Sequence, residues 1–285
     1  MNVLAVDIGG TKLAVAVVDD RGRLEGRITV PTPRTTDPEQ LWSVLAAVVD
    51  GASRAGLDAC GVGVGGPMGP GGELISPLNI PAWRDFPLRR RLAELTGLVT
   101  FVDNDAKALA LGEGWCGAAA GVDNYLAMVV STGVGAGIVL DGRLLDGAEG
   151  NAGHIGHVIV VPGGRRCACG AFGCLEAEVS GPSIAAITGA PAAQADRATI
   201  DRSGRLVGQA VASVANLLDL RLAVVAGSVA LGFGAPFFAA AQGELDRSAR
   251  LAFSRGARIV PARLGADGPL VGAAAVGRRG VAPAG

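Results

Sequence analysis

Both histidines of this 285-residue chain and three of its five cysteines lie in one short stretch, Gly153-His154-Ile155-Gly156-His157 followed by Cys167-Ala168-Cys169-Gly170-Ala171-Phe172-Gly173-Cys174-Leu175-Glu176. One imidazole and three thiolates, from His157, Cys167, Cys169 and Cys174, make the donor set that closes a tetrahedron around Zn2+ and leaves no position for water. The expected metal is therefore structural. Glycines between the ligands fit a chain that folds tightly around an ion, because such turns call for positive φ angles. Cys60 and Cys116 stand alone in apolar surroundings, so no disulfide framework is expected and a reducing, cytoplasmic setting fits.

A second kind of chemistry is written in two glycine-rich turns. Asp7-Ile8-Gly9-Gly10-Thr11-Lys12 offers unobstructed backbone N–H groups, a hydroxyl and an ammonium, all suited to phosphate oxygens. By itself it also reads as an ordinary hairpin turn. The echo in Ser131-Thr132-Gly133-Val134-Gly135-Ala136-Gly137 favours a nucleotide held by two such loops. Neither loop is a Walker sequence or a G-x-G-x-x-G opening a helix, which disfavours P-loop and dinucleotide-binding folds. Asp103-Asn104-Asp105, placed between an apolar run and a helical pattern, reads either as an N-cap cluster or as a catalytic carboxylate.

These loops need elements to hold them. Apolar runs predict strands at residues 3–6, 13–18, 24–30, 61–64, 99–102, 126–130, 136–140, 222–226 and 258–260. Helices are expected at 38–55, 88–96, 106–120, 182–187, 203–220 and 235–253, with a closing helix from Pro269. The order strand, small-residue turn, strand, Asp-Gly-Arg-Leu turn occurs around residues 3–24 and again around 126–144, an internal duplication. Two α/β domains facing each other across a cleft are expected: residues 1–104 with the closing helix 269–285 packed back on them, and residues 105–268 carrying the zinc loop.

Composition excludes several functions. A net charge of −1 gives no nucleic-acid footprint, and no apolar stretch reaches the roughly 20 residues of a membrane helix. Only Lys12 and Lys107 are lysine, while arginine supplies the other basic side chains.

Taken together, Asp7 to Lys12, Asn104-Asp105-Ala106, Ser131 to Gly137, Gly153 to His157 and the cysteine loop ending in Leu175-Glu176 resemble the ROK family of sugar kinases and repressors, built on the actin-like, hexokinase-like ATPase fold. The resemblance runs nearly end to end and implies ATP-dependent phosphorylation of a hexose, usually at the 6-hydroxyl, by an enzyme that is commonly a homo-oligomer. It implies Asp105 as catalytic base and Asn104, Glu176, His157 and the Gly65-Gly66-Pro67 and 79–83 loops as sugar contacts. Asp7, Gly9, Gly10, Thr11, Lys12, Ser131, Thr132, Gly133 and Gly135 are implied near the ATP phosphates and Mg2+, and Gly227-Ser228 near the adenosine. His157 is expected to place one ring nitrogen on the metal and the other toward the sugar. The repressors of the family carry a helix-turn-helix module before the first phosphate loop; here a strand begins at Val3, so a kinase is expected. One departure stands out: the family's usual Gly-Glu-x-Gly-His is Gly153-His154-Ile155-Gly156-His157. Imidazole in place of an anionic acceptor is expected to alter sugar selectivity away from plain glucose, with an aminohexose such as the 3-amino sugar kanosamine, from an antibiotic pathway, as the favoured substrate and a glucokinase acting on plain glucose, with His154 a tolerated substitution, as the alternative.

Overall fold

The computed structural model describes residues 1–52 and 56–281. In chain order the strands and helices are β1 (Val3–Ile8), β2 (Lys12–Val18), β3 (Leu24–Pro31), α1 (Pro38–Asp50), β4 (Ala59–Val64), α2 (Leu88–Thr96), β5 (Thr100–Asn104), α3 (Asp105–Cys116), β6 (Tyr125–Val130), β7 (Val134–Leu140), β8 (Arg143–Leu144), α4 (Leu175–Val179), α5 (Gly181–Thr188), α6 (Arg197–Leu218), β9 (Leu222–Ala226), α7 (Ser228–Phe233), α8 (Ala235–Ser248), β10 (Arg258–Pro261) and α9 (Gly268–Val281). Part of the helix expected to reach Ala55, and the last residues of the closing helix, lie outside the described residues.

The duplication is present in the topology. One five-stranded sheet runs β3-β2-β1-β4-β5 and the other β8-β7-β6-β9-β10. In each, the first strands form an antiparallel meander and the later ones add in parallel, as β1 with β4 and β6 with β9. This is the two-sheet α/β architecture that the sequence led us to expect.

The chain divides into two compact units. Unit 1 comprises residues 1–120, 146–152 and 264–285, and unit 2 comprises residues 121–145 and 153–263. The sequence expectation put the division at Asp105, whereas α3 lies within unit 1. Its place there follows from close helix packing: a Cβ on Gly272 of α9 would meet the Ala108 carbonyl of α3 at 2.6 Å.

Within unit 1, strand alternation sorts side chains by size. Leu4, Val6 and Ile8 point to a core shared with Leu41, Leu45, Leu88 and Leu92 of α1 and α2, while Val3 and Ala5 point to Ala273 and Ala274 of α9. Small residues on the second face let α9 lie almost on the sheet. Gly61 of β4 is essential there, since a Cβ would fall 2.0 Å from the Ala273 carbonyl oxygen. Asp7 shares this face, which brings it toward α3. Unit 2 has its own core, in which Val207, Val211 and Ala215 of α6 and Phe237, Ala241 and Leu245 of α8 pack with Leu126, Met128 and Val225 of the sheet.

Several helix limits differ from expectation. Asp196 caps α6 through the Thr199 N–H, so that helix starts earlier than residue 203. Gly234, at φ +62°, separates α7 from α8, and α8 ends at Ser248 instead of Phe253. The short α4 was not expected at all.

Candidate functional site

In unit 1 the sheet delivers its polar residues to the carboxyl ends of β1, β4 and β5. Asp7 pairs in register with Ala14 and Gly63, and a Cβ on Gly63 would lie 4.0 Å from the Asp105 Cα. The first glycine turn closes through Gly9 N–H to the Lys12 carbonyl at 3.0 Å, and the Thr32 hydroxyl donates to the Gly9 carbonyl at 2.6 Å. Asp7 is only 8 % exposed. Burial pushes its pKa up to about 7, against the attraction of Lys12 and with the added repulsion of Asp105.

Asn104 caps α3, its side-chain carbonyl accepting from the Ala106 N–H at 3.0 Å, and Asp105 accepts from the same N–H at 2.8 Å. The N-cap reading of this tripeptide is thus correct for Asn104, whose amide nitrogen remains beside Gly66; a Cβ there would meet it at 3.3 Å. Asn79 lies against both Gly65 and Gly10. The structure therefore gathers Asp7, Gly9–Lys12, Gly65, Gly66, Asn79, Asn104 and Asp105 in one unit.

Sequence reasoning missed the charged residues beside this group. Lys107 is buried, with its ammonium 2.6 Å from Asp146, 3.3 Å from Asp103 and 3.1 Å from the Gly150 carbonyl. Arg279 of α9 bonds Asp146 at 2.7 Å and approaches Asp103 at 3.7 Å. Burial raises the pKa of Asp103, opposed by Lys107 and by the Asn104 N–H. A lysine in an arginine-rich chain, four residues after an aspartate at a helix start, was the available signal; Asp146 is distant in sequence and gave none.

Unit 2 gathers the second set. Ser131 and Ser228 share a hydroxyl hydrogen bond of 2.9 Å, and the Ser131 carbonyl accepts from the Gly181 N–H at the start of α5. Glu176 on α4 accepts from the Val134 N–H at 2.8 Å, within the second glycine loop, so the loop carrying Ser131, Thr132, Gly133 and Gly135 is bonded to the helix that follows the cysteines. Gly227 leads from β9 into α7 and places Ser228 beside Ser131.

The His157, Cys167, Cys169 and Cys174 donor atoms all lie within 4.8 Å of one another. His157 Nδ1 is 3.6 Å from Cys167 Sγ, and Cys169 Sγ is 3.7 Å from Cys174 Sγ. A tetrahedral zinc centre needs about 3.6 Å between nitrogen and sulfur and about 3.8 Å between sulfurs, from its ordinary bond lengths. The cluster could therefore bind zinc as it stands. Nδ1 faces the cysteines, which leaves Nε2 for another partner. The loop is closed by Gly173, at φ +76°, where a Cβ would strike the Val161 carbonyl at 1.7 Å. Burial pushes the Cys174 thiol up to about 12, while a backbone hydrogen bond at Ala171 pulls Cys169 down; a bound dication would hold all three as thiolates.

His154 lies at the head of the single helical turn Ile155–His157, its ring stacked on that of His157 with centroids 5.9 Å apart and planes 16° apart. Glu178, 2 % exposed, ties this region to α6: it accepts from the Arg165 N–H at 2.9 Å and pairs with Arg202. No helix among the described residues is long and apolar enough to cross a membrane.

The chain is 38 % identical over 253 residues to an N-acetylmannosamine kinase of Citrobacter koseri, an alignment that covers 82 % of this chain and 86 % of that protein. Its fold matches a ROK hexokinase from Thermus thermophilus with a TM-score of 0.83 and 36 % identity, over 99 % of both chains. A ROK family glucokinase from Streptomyces griseus, solved in complex with glucose and AMPPNP, matches with a TM-score of 0.83 and 30 % identity, over 98 % of this chain and 100 % of that one. The ROK family model itself spans residues 3–279, taking in both glycine loops, the Asn104-Asp105 pair and the cysteine cluster, and the chain belongs to the ROK family.

Proposed function

We propose that this protein is a sugar kinase that transfers the γ-phosphoryl group of ATP to the 6-hydroxyl of a 2-acetamido hexose, with N-acetylmannosamine as its substrate. The observation that carries the reaction class is Asp105 on the first turn of α3, close enough to Asp7 for the two charges to interact, in the unit that holds the first glycine loop. Asp105 orients the 6-hydroxyl and accepts its proton as the oxygen attacks the γ-phosphorus; the bond to the β-phosphate oxygen breaks and ADP leaves. The Asp7 carboxylate, once ionised, suits a Mg2+ ion, which would neutralise charge on the transferred phosphoryl group. Gly9 to Lys12 and the Ser131 loop offer N–H, hydroxyl and ammonium donors to the phosphates, and the Gly227-Ser228 turn suits the nucleoside. In unit 1 Asn104, with Gly66 beside it, suits the ring hydroxyls; in unit 2 Glu176 and the His157 Nε2 offer groups suited to the same chemistry.

His154 supports the choice of sugar. A carboxylate at this position can only accept from hydroxyls, whereas a neutral imidazole can donate to the carbonyl of an acetamido group. The relatives named as N-acetylmannosamine kinases support the same choice, in place of the 3-amino sugar expected from the sequence. Glucose is the second reading, favoured by the similarity to the Streptomyces griseus glucokinase.

The test is a comparison of kcat/KM for N-acetylmannosamine, N-acetylglucosamine, glucose and kanosamine with the native protein, His154→Glu and Asp105→Asn. N-acetylmannosamine should lead, and His154→Glu should move the ratio toward glucose by about 10-fold or more, the scale of discrimination from one pocket contact. Asp105→Asn should lower turnover by roughly 10²- to 10⁴-fold on every sugar. A native preference for glucose that His154→Glu leaves unchanged would refute the sugar assignment.

A further inference from the structure

The buried ammonium of Lys107 has no place in the phosphoryl-transfer chemistry, yet it is one of the most completely bonded groups in unit 1. Its side chain is 3 % exposed, and its three donors meet three acceptors, on Asp146, Asp103 and the Gly150 carbonyl. Arg279 closes the arrangement by reaching both carboxylates, so that Asp103, Lys107, Asp146 and Arg279 form a ring of alternating charge. Burying an ammonium is costly, and an apolar side chain would fill this helix face without that cost. What the charges add is direction.

One oxygen of Asp103 accepts both the Asn104 N–H, at 2.8 Å, and the Lys107 ammonium, at 3.3 Å. The residue before the Asn104-Asp105 pair is thereby joined to Lys107, two residues after it. The turn between them carries Asp105, whose carboxylate accepts from the Ala106 N–H, and whose backbone lies between the two joined residues. Asp146 and Arg279 hold the ring against the 146–152 segment and α9, both within unit 1.

We propose that the Asp103–Lys107 pair, anchored by Asp146 and Arg279, is a positioning clasp that fixes the backbone of Asp105 for proton transfer. The proposal rests on Asp105 being the base. Lys107 and Asp146 act through Asp105 and touch no substrate. A displaced base costs rate more than affinity, since a misplacement of about 1 Å is enough for a loss on the order of 10²-fold.

The experiment measures kcat, KM and the dissociation constants of sugar and AMPPNP for the native protein, Lys107→Met, Asp146→Asn and Asp105→Asn, with circular dichroism to check the fold. Lys107→Met should lose roughly 10- to 100-fold in kcat while both dissociation constants stay within about threefold of native. Asp146→Asn keeps an acceptor without charge and should lose less, roughly 3- to 10-fold in kcat. A folded Lys107→Met with native kcat overturns the clasp, as does native kcat with weakened sugar binding. If Lys107→Met does not fold, Asp146→Asn decides by the same criterion. Native turnover in Asp105→Asn overturns the base assignment and the clasp with it, whereas loss in Asp105→Asn beside native kcat in Lys107→Met overturns the clasp alone.

Discussion

Replacing Asp7 by asparagine should make the nucleotide-free protein more stable at pH 8 and at the same time a much poorer kinase. Asp7 sits between Val6 and Ile8, at most 1 % exposed, on a central strand, and burial lifts its pKa from 3.8 to about 7. A shift of about 3 units corresponds to about 4 kcal/mol of difference between the protonated and ionised forms. Because the folded pKa is the higher one, the native state holds the proton more tightly than the unfolded chain. The stability gained this way is whole below about pH 3.8, falls as pH rises, and is lost once pH passes about 7. Asparagine has nearly the same shape and never ionises. The stability advantage of Asp7→Asn over the native protein should therefore be close to zero near pH 4 and grow to about 4 kcal/mol at pH 8, or roughly 10 °C in melting temperature for a unit of this size. Thermal melts of both proteins without nucleotide, at half-unit steps from pH 4.5 to 8.5, would measure it. Mg2+ with AMPPNP should raise the native melting point and hardly move that of Asp7→Asn, with native affinity for the magnesium complex increasing as Asp7 ionises. A difference that stays flat with pH, or a variant less stable than native at pH 8, would show that the burial cost assigned to this carboxylate is wrong.

Two further outcomes are expected. The native protein should carry one zinc ion per chain, and Cys169→Ser or chelation should weaken sugar binding by about 10-fold or more while the core of unit 2 persists, because metal binding orders the loop that ends at Glu176; full sugar affinity in metal-free protein, shown by metal analysis and calorimetry on one sample, would rule this out. Gly61→Val should cost about 3 kcal/mol or more in urea unfolding, since its side chain would collide with the Ala273 backbone on α9; an unchanged midpoint would mean that the sheet and α9 can separate cheaply.

The sequence was most informative where rare residues crowd together. Two histidines and three cysteines within a short segment pointed to a donor set that could bind zinc, and short apolar runs pointed to most strands of both meanders. The matching sheet orders follow from that repeated pattern. Long-range packing was not legible. Nothing in residues 105–120 says that α3 lies on a helix beginning at Gly268, because the information resides in glycines and alanines that look unremarkable in isolation. The partners of Lys107 were hidden for the same reason, although its rarity marked it. Helix limits failed where a local signal was overlooked, as with the Asp196 cap, and where an expected helix ran past its true end, as α8 did beyond Ser248.

The three-part make-up of unit 1 has a consequence for how the protein is born. Its sheet, α1, α2 and α3 are all synthesised by Ala120, but the face that receives α9 stays bare until the chain beyond Leu264 has been made. At ordinary rates of translation that interval lasts roughly 7 to 30 s. During it, Val3, Ala5, Gly61 and the glycine-bearing side of α3 are uncovered on the ribosome, while unit 2, whose own segments finish at Arg263, can complete its core first. The half that starts the chain is the last to be finished, so slow or interrupted synthesis near the carboxyl end should injure the amino-terminal half, and a chaperone that binds nascent chains would find its target there.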